Sequence, residues 1–350
     1  MIIPHFGLAR QFLNLRGDLL EATECALSSG QLVSGPYTEQ FEDWLCERTG
    51  AKYAVTVHSG TQALEIIARF VSQGEARKPR IYMPNLTYPA TLNAFLSTGF
   101  TVRLEDTDNR GLLKHPSQLG EFVCLVGLYG ARPWYNFGDS SNVIVDGAQH
   151  WLVAGGDFGV GMAISFDPTK NLPSSGNGGA IITNNNGLYH FAKDYRSNGM
   201  PLHNSRFGTN SKMSEQDCAQ ILVRTQYLDA WQARRKAIRL FWLDAFKDIP
   251  SPFRCLSAGV EEHADQKFVI WTELQHELLE FLERRGIETK IHYPYTLGEL
   301  PVARELPHPD MLSMSVMLSR GLLSLPMYPE LTDSEVEYIA ETVKEFFRTK

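Results

Sequence analysis

One lysine in this sequence stands where it could react with a carbonyl group. Lys170 follows an apolar stretch and lies in a turn rich in proline, serine and glycine, SFDPTKNLPSSGNGG, at residues 165–179. Lysine forms Schiff bases when burial or nearby charge lowers the pKa of its amine. A lysine in a loop is far more often simply solvated, so this interpretation depends on the residues that accompany it.

A carboxylate with unusual surroundings is the first of these companions. Asp146 ends the apolar segment NVIVDGAQ, residues 142–149, and a carboxylate there is costly to bury without a cationic partner. A protonated pyridine nitrogen would be such a partner, and the ion pair would keep the ring electron-withdrawing. Gln149 could then hydrogen-bond a phenolic oxygen of the same ring. The alternative is an aspartate that caps the turn after its strand.

A third segment suits a phosphate group. HSGTQAL, residues 58–64, places Gly60 and Thr61 between a predicted strand and a predicted helix. Backbone N–H groups at a helix start bind anions, and the hydroxyl groups of Thr61 and Ser165 could add donors. An ordinary turn capped by Ser59 or Thr61 would have the same sequence.

An aromatic residue completes the set. Tyr88 lies in PNLTYPAT, at a predicted turn from strand to helix, and its ring could stack on a flat heterocycle. The alternative interpretation is a core aromatic.

The elements around these residues predict the fold that positions them. Short apolar runs alternate with helical stretches between residue 50 and about residue 185, and this alternation favours an α/β fold whose mostly parallel central sheet is flanked by helices. Ligands of such sheets bind at the carboxyl ends of the strands, where the residues above gather. The predicted strands cover residues 53–60, 80–85, 101–108, 122–130 and 142–149, with a hairpin-like continuation at 163–167 and 179–184.

The pattern changes beyond residue 213. Residues 214–246 read as one long helix, because apolar residues recur there at three- and four-residue spacing. A strand at 267–274 and helices at 276–286 and 333–348 then predict a smaller C-terminal α/β domain. We expect a large domain at 1–230 and a small one at 231–350. The first 45 residues should pack on the small domain or across an oligomer interface.

Composition narrows the class of protein. The formal net charge of −7 argues against a broad nucleic-acid-binding face, although local donors could still hold an anionic substrate. No apolar run is long enough for a membrane span, and the N-terminus lacks the basic start and apolar core of a secretory signal. Five scattered cysteines without a CxxC pair fit reduced thiols in a cytoplasmic enzyme and predict no metal site.

The order of these motifs resembles a known family. HSGTQAL, MPNLTYPAT, VDGAQ and SFDPTK with its glycine-rich tail are similar to the DegT/DnrJ/EryC1/StrS sugar aminotransferases, a branch of the aspartate-aminotransferase fold (fold type I of the pyridoxal-phosphate enzymes). The likeness extends upstream to residues 34–55 and downstream to residues 209–220, HYPY and LSLPMYPELTDSEV. It therefore covers nearly the whole chain in order.

The resemblance implies a role for each residue already singled out. Lys170 would bind pyridoxal 5'-phosphate as an imine and move the proton between substrate and cofactor, with Asp146 at the ring nitrogen and Gln149 beside the ring oxygen. Asn210 would reach the cofactor of a neighbouring subunit, which implies a homodimer with shared sites. The remaining cofactor contacts would come from Gly60, Thr61, Ser165 and Tyr88.

The chain departs from the family pattern in places. Lys212 stands where the family often has arginine, so an anion bound there is held differently or the specificity has moved. His292 occupies a recurrent histidine position, and we expect it near the substrate entrance or packed on the surface. The segment 196–207, with His203 and Asn204, has no role that we can assign.

The resemblance implies a reaction. We expect an amino group to pass from an amino acid, L-glutamate by expectation, to the keto group of a nucleotide-diphosphate sugar by ping-pong kinetics. Three alternatives remain: an aminotransferase acting on an inositol ketone or an amino acid, a sugar dehydratase, and a non-catalytic regulatory protein that binds cofactor or sugar. Related dehydratases carry histidine in place of the lysine, so Lys170 argues against that alternative.

Overall fold

A seven-stranded sheet forms the centre of the larger part of the chain. The computed structural model describes residues 2–73, 77–114, 121–133, 140–156, 158–200, 207–306 and 313–350. The sheet has the strand order β1-β7-β6-β5-β4-β2-β3. Its strands are β1 (Tyr53–Val57), β2 (Arg80–Pro84), β3 (Thr101–Glu105), β4 (Phe122–Val126), β5 (Val143–Asp146), β6 (Gly161–Ser165) and β7 (Gly179–Thr183).

Most neighbouring strands run parallel. β3, β2, β4, β5 and β6 pair in parallel, whereas β7 is antiparallel to both β6 and β1. Central strands of such sheets are covered on both faces, which explains why every residue of β5 and β7 is buried and most are apolar. The predicted fold class and the hairpin-like continuation are confirmed.

Helices cover both faces of this sheet. Ile66, Ile67 and Phe95 pack one face, and Phe41, Leu45 and Ile221 pack the other. The helices of this part are α1 (Leu8–Ser28), α2 (Pro36–Thr49), α3 (Gly60–Ser72), α4 (Pro89–Ser97), α5 (Asn186–Tyr195) and α6 (Glu215–Thr225).

A second, antiparallel sheet has its own apolar core, in which Trp242 and Phe268 are fully buried. We propose that the two sheets mark two domains, residues 1–230 and 231–350. The elements of the second part are α7 (Leu228–Ala245), β8 (Phe253–Cys255), β9 (Phe268–Thr272), α8 (Gln275–Arg284), α9 (Ser313–Ser319), β10 (Leu322–Leu325) and α10 (Asp333–Arg348).

The prediction of one long helix at 214–246 was wrong, because α6 and α7 are separate helices. The N–H groups of Gln226 and Tyr227 bond three residues back, to the carbonyls of Val223 and Arg224, which closes the first helix. α6 packs on α1 and α2, while α7 packs in the second core. Apolar spacing continues through the break, so periodicity alone does not reveal it.

The N-terminal segment joins the two parts. Ile3 forms a parallel bridge with Ile287, and the guanidinium of Arg10 donates to both carboxylate oxygens of Glu335 at 2.7 Å. Ile3 and Arg10 contact the C-terminal part, whereas α1 and α2 pack on α6 of the larger part. No helix in the part of the chain that the structure describes is long and apolar enough to cross a membrane.

Candidate active site

A cavity of about 700 Å³ opens at the carboxyl ends of the central strands. Because β1 and β6 both run antiparallel to β7, β1 also ends at this edge. Loops of the second part, including residues 290–295, close the opposite wall. Eight of the residues predicted from the sequence line the cavity: Gly60, Thr61, Tyr88, Asp146, Gln149, Ser165, Lys170 and His292.

Asp146 is a buried carboxylate that forms no ion pair with any of the residues that the structure describes. It is the last residue of β5 and is 8% exposed. One oxygen accepts from the Thr91 hydroxyl at 2.8 Å, and the other accepts from the N–H of Ala148 at 3.1 Å. Burial raises the pKa of Asp146, and these donors and the charge of Lys170 only partly oppose that rise. The carboxylate therefore favours a cation placed in the cavity.

Lys170 provides an amine at the same cavity. Burial lowers its pKa below the ordinary value, although the charges of Asp146 and Asp167 favour the ammonium form. A lowered pKa increases the fraction of free amine at neutral pH, which is the form that attacks a carbonyl.

Hydrogen bonds from several elements hold the turn that carries Lys170. Its N–H donates to the carbonyl of Asp167 at 2.9 Å, and the amide of Gln266 donates to the carbonyl of Thr169 at 2.9 Å. The side-chain amide of Asn171 donates to the Gln232 side chain at 2.8 Å and to the Ala264 carbonyl at 2.6 Å. Residues of the second part therefore fix the position of the lysine.

The start of α3 forms an anion-binding cradle. Ser59 caps the helix by accepting from the N–H of Gln62 at 3.2 Å, as the capped-turn alternative required. The N–H groups of Gly60 and Thr61 have no hydrogen-bond partner among the described residues and belong to the positive end of the helix. A Cβ on Gly60 would lie 2.9 Å from the Cβ of Ser165, so the turn and the end of β6 are in close contact.

Gln149 connects the sheet to a pair of stacked tyrosines. Its carbonyl oxygen accepts from the N–H of Tyr129 at 2.7 Å, and its amide donates to the Tyr293 hydroxyl at 2.9 Å. One amide proton remains for a ligand. Both tyrosines have φ of 60°, a strained conformation for a bulky residue, and their rings stack at 5.8 Å.

Two predicted residues stand at the mouth of the cavity. Tyr88 is 61% exposed, so it is not a core aromatic, and its ring centroid lies 6.4 Å from that of Tyr293. His292 is half-buried and its Nδ1 lies 2.7 Å from the Ser324 hydroxyl. Burial, together with the charge of Lys267, lowers the pKa of His292 to about 2, so its imidazole stays neutral.

Two predicted residues do not reach this cavity. Asn210 is exposed, forms a bridge with Ser197 and accepts from the Lys212 ammonium at 2.9 Å, and neither Asn210 nor Lys212 lines the cavity of its own chain. His203 and Asn204 lie outside the described residues. Arg196, at the start of the unassigned segment, is buried and ties the Glu42 carboxylate to the carbonyl of Thr56.

Sequence reasoning missed several residues of the cavity. Thr91 and Tyr293 line the cavity and contact predicted residues, and Tyr129 contacts Gln149 from behind the lining, but nothing in the sequence indicates a positive φ or a contact between distant segments. Lys267 and Lys290 also line the cavity, and each has the sequence context of a solvated lysine beside a strand. Within the described ranges no group of three metal-ligating side chains occurs.

The arrangement fits a flat, phosphate-bearing cofactor. The free N–H groups of α3 would hold its phosphate, the unpaired Asp146 carboxylate would hold a cationic ring nitrogen, and Lys170 would reach its carbonyl carbon. A glycine at position 60 leaves room for the cradle, since a side chain there would meet Ser165.

Comparisons with known proteins agree with this arrangement. A model of the DegT/DnrJ/EryC1/StrS aminotransferase family matches residues 14–123 and 147–344. A dTDP-3-amino-3,4,6-trideoxy-alpha-D-glucose transaminase of Streptomyces venezuelae is 28% identical, with 98% of this chain and 96% of that protein covered. A protein of Geobacillus stearothermophilus named as a pleiotropic regulatory protein is 24% identical, with 99% of each chain covered.

The fold also matches solved structures. The crystal structure of S. venezuelae DesV in complex with a ketimine intermediate superposes with a TM-score of 0.88 at 26% identity. The match covers 99% of this chain and 98% of the other.

Proposed function

The chain belongs to the DegT/DnrJ/EryC1/StrS aminotransferase family, and we propose that it transfers an amino group to a keto-sugar of a nucleotide-diphosphate sugar. The cofactor would be pyridoxal 5'-phosphate, and the amino donor would be L-glutamate. The proposal rests on one observation: Lys170 and the buried Asp146 carboxylate, which forms no ion pair among the described residues, line the same cavity.

Three groups of residues would hold the cofactor. The N–H groups of Gly60 and Thr61 and the Ser165 hydroxyl suit its phosphate, and the Asp146 carboxylate suits its protonated ring nitrogen. Bound there, pyridoxal phosphate supplies a carbonyl that takes up amino groups and a ring that withdraws electrons.

The protein's own groups would then handle charge and protons. The Lys170 amine, whose pKa is lowered by burial, accepts and returns a proton inside the cavity as a positioned acid and base. The Thr91 hydroxyl and the Ala148 N–H fix both oxygens of Asp146, so that the carboxylate stays oriented without a rearrangement. Tyr88, exposed at the mouth, offers a ring face for stacking.

The substrate class rests on size and on relatives. A cavity of about 700 Å³ is within the range of sites for ligands of this size. The S. venezuelae relative is named as a transaminase of a dTDP-linked amino sugar. The relative named as a regulatory protein leaves the non-catalytic alternative to be tested by turnover.

We propose further that the working unit is a homodimer with shared sites. Asn210 and Lys212 lie away from the cavity of their own chain, and the side chains of both have solvent access. A second copy would receive them at its cofactor site.

Turnover with labelled donor tests this proposal. The purified protein is incubated with pyridoxal phosphate, ¹⁵N-labelled L-glutamate and a panel of keto-sugar nucleotides that differ in base and in keto position. We expect mass spectrometry to detect one labelled amino-sugar nucleotide. Lys170→Ala should lower its rate at least about a thousandfold, whereas Lys236→Ala, which changes an exposed lysine, should leave it unchanged.

Two results would contradict the proposal. Retention of the full rate in Lys170→Ala would remove that lysine from the reaction. Transfer of label to inositol ketones or keto acids but to no sugar nucleotide would instead place the chain among aminotransferases of another substrate class.

A further inference from the structure

Two additional lysines meet beside one aromatic ring at the wall of the cavity. The Lys267 ammonium lies 5.3 Å and the Lys290 ammonium 4.7 Å from the centre of the Phe6 ring. Lys267 directly precedes β9, Lys290 pairs with β10 through its backbone, and both line the cavity that contains Lys170. Three separate segments of the chain therefore bring these groups together.

No carboxylate of the described residues forms an ion pair with either ammonium. Among the residues that the structure describes, neither ammonium forms an ion pair or a hydrogen bond, and Asp167 is the acidic group whose charge favours protonation of Lys267. Lys267 is only 7% exposed. Burial, with the nearby charges of Lys170, Arg235 and Lys290, lowers its pKa to about 7.

The neighbouring histidines add no compensating charge. The rings of His5 and His292 lie 5.6 Å apart, and burial lowers the pKa of His5 to about 3 and that of His292 to about 2. Both are neutral near pH 7, and Nδ1 of His5 is buried without a partner. Within the described residues, the nearby carboxylates are those of Asp167, which lines the cavity, and Glu288, which accepts from the His5 N–H at 3.0 Å, and neither forms an ion pair with Lys267 or Lys290.

A structural role does not explain this arrangement. Lys290 is exposed, but an unpaired buried ammonium such as that of Lys267 costs folding free energy, and an apolar residue at position 267 would pack at that depth without this cost. The ring of Phe6 offsets part of the cost by cation–π attraction, but one ring does not neutralise two charges. An anion that enters the cavity would neutralise these charges.

We propose that Lys267 and Lys290 bind a carboxylate of the amino donor, at a site separate from the phosphate cradle of α3. The inference rests on the proposed transamination and adds to it the means of recognising the donor. Lys267 is buried in the cavity, and the charge of Lys170 lowers its pKa, so the two amines are near each other. A carboxylate bound to Lys267 would therefore be close to the reacting amine. The diphosphate of a sugar nucleotide would lie a whole sugar away from that amine.

A dicarboxylic amino donor has two carboxylates that the lysines could bind. A binding experiment tests first whether the two lysines bind a carboxylate at all. The probe is glutarate, which cannot be transaminated, with glutaramate, its monoamide, for comparison. We expect calorimetry on cofactor-loaded protein to give a dissociation constant for glutarate at least about tenfold higher in Lys267→Met and in Lys290→Met. Methionine removes the charge and keeps much of the side-chain length, at the buried position 267 and at the exposed position 290. Lys236→Met, at an exposed position, is the matched control.

The kinetics of the half-reaction with the amino donor show which of the donor's two carboxylates the lysines bind. If the side-chain carboxylate binds there, both variants lose kcat/KM with L-glutamate and not with L-glutamine. If the α-carboxylate binds there, they lose it with both donors. Lys290→Arg, which keeps the charge, should retain most of the binding.

The pH dependence of glutarate binding provides an independent readout. The protonated form of Lys267 binds the anion, and its pKa is about 7, so binding should strengthen as the pH falls through 7 and weaken above it. The charged or titratable groups around Lys267 are Lys170, Arg235, Lys290, Asp167, His5 and His292, and Tyr328 and Glu330 line a small cleft together with it.

The two proposals fail in different ways. Cofactor loading is read from visible absorbance, so a protein that loads no cofactor would contradict the proposed function. Unchanged glutarate binding in both methionine variants would overturn the carboxylate site. A loss of affinity confined to the sugar nucleotide would overturn it as well, because the lysines would then serve the acceptor.

Discussion

Asp146 is the residue whose surroundings are hardest to explain without a ligand. Both of its oxygens accept hydrogen bonds from neutral donors, and the pKa of this carboxyl is raised by burial. A folded-state pKa above the ordinary value means that the ionised form destabilises the fold. That destabilisation is complete above the folded-state pKa and disappears below the ordinary value of 3.8.

Replacing this carboxylate should therefore lower the activity without lowering the stability of the fold. We expect cofactor-free Asp146→Asn to melt at the same or a higher temperature than the native protein at neutral pH. The difference should shrink as the pH approaches 3.8. Transaminase activity should fall at least about a hundredfold, because the neutral amide does not hold a cationic ring nitrogen. Calorimetry and a rate assay measure the two effects. A lower melting temperature with full activity would assign Asp146 a structural role.

The sequence predicted residues whose chemistry is local. Lys170, Asp146 and Gly60 could be identified because a strand end or a helix start next to them was visible in the chain. Lys267 and Tyr293 could not be identified, since their importance comes from burial and from contacts with distant segments. The assigned roles of all these residues stay predictions.

At the scale of elements, the start of α3 depends on its contact with the end of β6. A Cβ at position 60 would also lie 3.3 Å from the Ile164 carbonyl oxygen, which belongs to the backbone and yields little. Any residue larger than glycine at position 60 would therefore disturb the cradle.

Alanine at position 60 should open that contact. We expect Gly60→Ala to lose about 1–3 kcal/mol of unfolding free energy and to bind pyridoxal phosphate at least about tenfold more weakly. Gly17→Ala is the control, since its Cβ would meet nothing within 4 Å in the middle of α1. It should instead gain about 0.5–1 kcal/mol. Urea unfolding measures the stability of each variant, and titration measures its affinity for the cofactor. Equal stabilities and equal affinities in the two variants would contradict the proposed role of Gly60 in the cradle.

A buried ion pair ties α2 to the end of α5. Arg196 donates to Glu42 and to the Thr56 carbonyl, and it is 4% exposed. We expect Arg196→Met to cost about 3–5 kcal/mol, because the buried Glu42 charge would keep the Thr56 donors but would have, among the described residues, Lys193 as its one remaining cation. Arg48→Met, which breaks the exposed pair with Asp229, should cost less than about 1 kcal/mol. Urea denaturation compares the two, and similar costs would mean that the buried pair contributes little.

The ends of the helices and strands were predicted correctly only where the local sequence marks them. α10 spans Asp333–Arg348 as predicted, because a capping box at Thr332 and Glu335 marks its start. The break between α6 and α7 carries no such signal. The short strands β8 and β10 depend on pairing with β9, which local sequence does not specify.

At the scale of the whole molecule, the two parts meet around the cavity. Asn85, after β2, donates to the Ser315 hydroxyl at 3.0 Å and accepts from the N–H of Gly298 at 2.8 Å. Gln266 and Ala264 hold the lysine turn from the same side. The site is thus built by both parts, which explains why no single motif defined it.

The proposed homodimer makes a prediction about mixed subunits. Lys170→Ala and Asn210→Ala should each be inactive alone, because each breaks both shared sites. After subunit exchange, each mixed dimer would contain one intact site, and an equal mixture should regain roughly a quarter of native activity. A rate assay before and after exchange measures this. No recovery, with exchange shown by mass spectrometry, would contradict shared sites.

Visible absorbance tests the central claim most directly. The purified protein is loaded with pyridoxal phosphate, and its spectrum is recorded before and after addition of L-glutamate. We predict a visible band from the lysine-bound cofactor that disappears with glutamate as the pyridoxamine form appears, and that never forms in Lys170→Ala. A protein that develops no such band, or a band that persists unchanged in Lys170→Ala, would contradict the assignment of Lys170 and with it the proposed function.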